Sequence, residues 1–163
     1  MKRGIIGVFV LLLGFGVRAF GNLGDGDAEI ATHYGTALSQ ERSKVDGLVT
    51  KCYSHRGYLI AVTFLNGRSQ NETIRRMGGR ELSIEEINAI LLTNDFGDNW
   101  FTIKEGTAGP RWVLDSKAAV ACYSRMERKL VLATKGFMEF AEDGTRVSGP
   151  RVDYGFLEDD NWW

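Results

Sequence analysis

Three kinds of apolar pattern follow one another along the chain. The first is an uncharged run from Gly4 to Val17 with an apolar centre (Ile5, Ile6, Val8 to Leu13, Phe15), preceded by Lys2 and Arg3. It is shorter than the ~20 apolar residues that a bilayer-spanning helix needs. A basic start, a short apolar run and small residues at Ala19 and Gly21 match a secretory signal peptide. The pattern predicts residues 1–19 to be cleaved, with the cut after Ala19 or after Gly21.

The second pattern is helical and brief. Ile30 and Tyr34 lie four apart and share a helix face. Asp25 or Asp27 can cap the first turn, and Gly35 supplies a left-handed stop. Thr36 to Gly47 is polar and reads as a connection.

The third pattern is alternation. Leu48 to Ser54 leads through His55-Arg56-Gly57 into Tyr58 to Leu65, where Tyr58, Ile60, Val62 and Phe64 mark one face. Asn66-Gly67 is the dipeptide preferred in a two-residue hairpin turn, because both positions need positive φ. Arg68 to Met77 is a more polar strand, expected nearer an edge. Ser83-Ile84-Glu85-Glu86 is a capping box opening a helix over 83–93, with Ile84, Ile87, Ile90 and Leu91 as its apolar stripe. Four further strands are predicted at Trp100 to Lys104, Arg111 to Asp115, Ala118 to Ser124 and Lys129 to Thr134. A short Phe137-Met138-Phe140 segment packs last.

The expected fold is α+β: a mainly antiparallel sheet of six or seven strands, the capped helix 83–93 packed on it, and a short N-terminal helix. Residues 22–143 form a single domain, and 144–163 an acidic and aromatic tail. No internal repeat is evident, and the apolar share of 44 % is that of an ordinary globular chain.

Charge narrows the partners. Cleavage after Ala19 removes three of the 20 basic residues (Lys2, Arg3, Arg18) and none of the 21 acidic ones, leaving a net charge of −4. That balance argues against a nucleic-acid partner, which requires a basic face. No second run approaches spanning length, and short strands with a capped helix argue against a membrane barrel. The expected location is secreted or periplasmic.

Candidate chemistry is sparse. In an oxidising compartment Cys52 and Cys122 can form one disulfide if their strands lie close together. Glu29 and His33 share a helix face, yet a dedicated metal site needs three or four ligands. Cys52 and His55 invite a nucleophile–base reading, but odd spacing on a strand points them to opposite faces. Asn71-Glu72-Thr73 matches the N-glycosylation pattern. No phosphate loop or nucleophile elbow occurs, so no catalytic residue, cofactor or metal set is assigned. Trp100 and Trp112 are expected in the core. Trp162 and Trp163, after the acidic run Glu158-Asp159-Asp160, either dock back on the domain or contact a partner.

The stretch Asp27-Ala28-Glu29-Ile30-Ala31-Thr32-His33-Tyr34-Gly35 resembles the opening helix of small bacterial envelope modules of the SmpA/OmlA kind. In those modules a short capped helix ends in an aromatic or leucine followed by Gly, and then strands begin. Ala37 stands where that family has Pro, and no lipid-bearing cysteine follows the apolar run. More generally, the order of helix, hairpin and capped helix resembles uncharacterised exported bacterial proteins. The resemblance implies an envelope location and carries no functional residue across. The functional expectation is an exported, soluble, non-catalytic binding or accessory protein with a protein partner in the cell envelope. The alternative is a small secreted hydrolase using carboxylates that spacing does not single out.

Overall fold

The computed structural model describes residues 23–43, 47–106 and 109–144. The expected signal segment and the tail with Trp162 and Trp163 lie outside the described residues. Among the described residues no helix is long and apolar enough to cross a membrane.

The chain opens with α1 (Asp27–Tyr34), capped by Gly26 rather than by Asp25 or Asp27. Glu29 performs the capping: its Oε2 accepts the Gly26 N–H at 2.6 Å. A four-stranded meander follows: β1 (Ser39–Arg42), β2 (Leu48–His55), β3 (Tyr58–Leu65) and β4 (Arg68–Arg76). β2 and β3 pair from Leu48–Leu65 to His55–Tyr58 around Arg56-Gly57. β3 turns into β4 through Asn66 and Gly67, whose φ values of 52° and 78° are those the tight turn requires.

After a 3-10 turn at Met77–Gly79 comes α2 (Ile84–Thr93). Its capping box is formed: the Glu86 N–H donates to Ser83 Oγ at 3.3 Å, and the Ser83 N–H to Glu86 Oε2 at 2.8 Å. Ile87, Ile90 and Leu91 are buried, whereas Ile84 is 54 % exposed and leaves the expected stripe. A second meander follows: β5 (Trp100–Gly106), β6 (Gly109–Leu114), β7 (Ala119–Ser124) and β8 (Lys129–Thr134). The apolar segment at Phe137 is a third helix, α3 (Lys135–Gly144).

All eight strands join one antiparallel sheet in the order β1-β2-β3-β4-β8-β7-β6-β5. This is α+β as expected, with one strand beyond the expected six or seven. The addition is β1, whose four residues are all exposed at the edge. Its pattern is polar because neither face is covered, so the stretch reads as a connection. The larger correction concerns β4. It lies at the centre of the sheet, between β3 and β8, although its polarity suggested an edge.

Helix followed by a four-strand meander occurs twice, and the two final strands, β4 and β8, meet antiparallel. An approximate two-fold therefore passes between them, a repeat of architecture that the residue sequence does not display. α1 and α2 cover one face, packing Ile30, Tyr34, Ile87, Ile90 and Leu91 on Ile60, Val62, Ile74, Leu130 and Leu132. α3 covers part of the other, where Phe137 and Met138 pack on Val120, Cys122 and Ala133.

Candidate functional site

The centre of the helix-covered face holds a carboxyl group. Glu72 on β4 is 0 % exposed and stands in register with Val62 on β3 and Leu132 on β8. The Tyr34 hydroxyl of α1 donates to its Oε2 at 3.1 Å, while Oε1 has no hydrogen-bond partner. Burial pushes the carboxyl up to about 8; the Tyr34 hydroxyl opposes this and the Asp25 charge adds to it. An ionised carboxylate without a cation beside it is costly in an apolar interior. Glu72 is thus predominantly protonated at neutral pH.

Both histidines of the chain gather around the same helix end. His33 Nε2 lies 3.6 Å from Asp25 Oδ2, and the Tyr34 ring centroid is 5.6 Å from Tyr53 and 5.7 Å from His55. Burial, then the charges of Arg56 and His33, hold His55 below the ordinary histidine value. Burial likewise raises the Tyr53 phenol to about 12. Among the described residues no group of three or more His, Cys, Asp or Glu could hold a metal ion.

A second feature is open to solvent. Between α2 and strands β5 to β7 runs a groove of about 520 Å³, whose walls include Leu82, Ile84, Ile87, Trp112, Tyr123 and Arg125. Its floor is set by the sheet: Trp112 and Tyr123 are buried, and the Tyr123 hydroxyl accepts the Leu82 N–H at 3.1 Å. Trp100 pins the far end of α2 by donating from Nε1 to the Leu91 carbonyl at 2.8 Å. Both strand tryptophans thus pack with the core. On the edge strand β5, Phe101 and Ile103 are 50 % and 43 % exposed; Phe101 pairs with Val113, on the face opposite the groove.

The other sequence candidates separate. Cys52 and Cys122 are free thiols, so the disulfide their number permits is absent. Register explains it: Cys52 lies opposite Ala61, Ala61 opposite Thr73, Thr73 opposite Val131 and Val131 opposite Cys122. The two sulfurs share one face and one row, yet four strand spacings of about 4.8 Å put them roughly 19 Å apart. A bridge requires Cα atoms within about 7 Å. Cys52 and His55 point to opposite faces, as their spacing implies. Glu29 pairs with Arg68 at 3.6 Å and His33 with Asp25, so they do not converge on one cation. Asn71 is buried and donates from Nδ2 to the Leu132 carbonyl at 3.0 Å. A glycan there is incompatible with the folded sheet. Trp162 and Trp163 lie outside the described residues.

Sequence reasoning passed over Glu72. Ile74 is the only apolar residue from Arg68 to Arg76, so no face of that strand was legible.

No family model matches the sequence, and no curated protein matches it. Among solved structures, the chain is similar to a cysteine-rich secretory protein from Staphylococcus aureus, with 8 % identity and a TM-score of 0.45. The match covers 74 % of this chain and 47 % of that one, so the chain spans about half that protein's length.

Proposed function

We propose that the chain is an exported, soluble binding or accessory protein, cleaved after Ala19 or Gly21, that engages a protein partner in the cell envelope without catalysing a reaction. One observation carries the reading: the open groove along α2 interleaves apolar and aromatic side chains (Leu82, Ile84, Ile87, Trp112, Tyr123) with polar ones (Glu81, Asn88, Thr102, Arg125). A surface mixing apolar anchors with polar groups suits recognition of a protein partner, where aromatic and apolar side chains supply the area and polar groups fix orientation. Ile84, exposed at the groove's lip, is the side chain a partner would cover. The Trp162-Trp163 pair is the second contact, since indoles are favoured interface anchors.

The test is capture of envelope proteins on the immobilised chain. Retention of a discrete partner, lost on Ile84→Glu with melting temperature unchanged, supports the reading. Absence of any partner, together with hydrolase turnover abolished by one carboxylate substitution, refutes it.

A further inference from the structure

We propose that α1 is a proton-operated clasp, closed over Glu72 while that carboxyl carries its proton and opened when it ionises. The inference rests on the packing beneath α1 and is independent of the groove. α1 has eight residues and buries only Ile30 and Tyr34, with Leu23 ahead of it. Its approach is tied to β4 by backbone: the Gly24 N–H donates to the Ser69 carbonyl at 2.6 Å, and the Ser69 N–H to the Asp25 carbonyl at 2.8 Å. Its charged side chains pair across to the sheet, Asp27 with Lys51 at 2.6 Å and Glu29 with Arg68 at 3.6 Å. Its last turn sits over Glu72 through the Tyr34 hydroxyl.

The surroundings of Glu72 offer an ionised form little. From α1 comes one neutral hydroxyl; from the segment before it, the Asp25 carboxylate, which repels; from β2, the Tyr53 phenol. Val62 of β3 and Leu132 of β8 are apolar, and Oε1 is unmet. His33 and His55 stand one layer out, against Asp25 and the Tyr34 ring. The cheapest relief for a carboxylate here is water, and the element lying over it, through Tyr34, is α1. Opening withdraws Tyr34 and admits that water.

The sign follows from linkage. The closed state holds its proton up to about 8, against an ordinary value of 4.5 once the group is wet. The opening equilibrium therefore rises about tenfold per pH unit between those two values and is level on either side, a change on the order of a thousandfold. The clasp is tight in acid and loosest in mild alkali.

Native-state hydrogen exchange on the purified chain from pH 5 to 9, corrected for intrinsic rates, decides it. The α1 amides from Ile30 to Gly35 should lose protection tenfold per pH unit and level off near pH 8. They should remain less protected than β8 amides throughout, while α3 amides on the opposite face show no trend. Glu72→Gln should flatten the α1 profile. Tyr34→Phe, which keeps the ring and removes a donor to the ionised form, should shift the levelling to higher pH. The proposal is overturned by a flat α1 profile in the native chain, by a slope that survives Glu72→Gln, by a profile that Tyr34→Phe leaves unmoved, or by α1 protection equal to that of β8, which means global unfolding.

Discussion

At Glu72 two costs fall on one side chain: removal of a carboxyl from water, and one oxygen left without a donor. Most such groups escape the first cost by staying protonated, and the same holds here. Because the folded value is raised to about 8, the stability this residue contributes is whole below about 4.5 and is lost as pH rises through 8. Global stability should thus be higher at pH 5 than at pH 9. Glu72→Gln should remove that slope and stabilise the chain at pH 9 by on the order of 3 kcal/mol, measured by denaturant titration at the two pH values. Gly109 makes a steric case of the same kind. Its φ is 132°, and a Cβ there would lie 1.9 Å from the Tyr123 carbonyl oxygen. Gly109→Ala should therefore lower stability by more than about 2 kcal/mol, read from the denaturation midpoint. The cysteines give a simpler measurement. Both should react as free thiols in denaturant, even in material kept under oxidising conditions, since their row places four strand spacings between them.

Among the elements, α2 is the one whose local sequence and tertiary role agree most closely. Ser83 and Glu86 satisfy each other's backbone donors, and Glu86 also holds Arg76 and the Tyr58 hydroxyl of the sheet. Ser83→Ala should cost about 1 kcal/mol and leave the fold intact, measured by urea unfolding. β4 is the opposite case. Its buried Asn71 and Glu72 hydrogen-bond to β8 and α1, and Ser69 pairs with the segment before α1, so its polarity reflects contacts rather than exposure. The two edges of the sheet also differ. β1 is exposed throughout, with Glu41 and Arg42 discouraging further pairing, whereas β5 shows Phe101 and Ile103 to solvent.

For the whole molecule, the two-fold arrangement places a helix over each half-sheet, and the two halves differ in what lies beneath the helix. Beneath α1 the face is closed around a buried acid. Beside α2 it is open, with a tryptophan and a tyrosine in the floor. The partner reading belongs to this scale, as does the tail. Deleting residues 157–163 should weaken partner capture without lowering the melting temperature if Trp162 and Trp163 are contacts. A large fall in melting temperature would instead assign them to the core.

What the sequence determined by itself was local. The Asn66-Gly67 turn, the Ser83 capping box, the alternation of β3 and the opposed faces of Cys52 and His55 each depend on residues within a few positions of one another. Those are also the interactions that short spacing dictates. Tertiary structure alone decided which strand sits in the middle, because centrality depends on β8 arriving beside β4 after some fifty intervening residues. It decided that Cys52 and Cys122 share a row yet stay far apart. It decided, too, that a glutamate in an unremarkable polar stretch is enclosed by α1, β3 and β8. A carboxyl group's environment is made by its neighbours in space, and here only Asn71 and Thr73 are its neighbours in sequence.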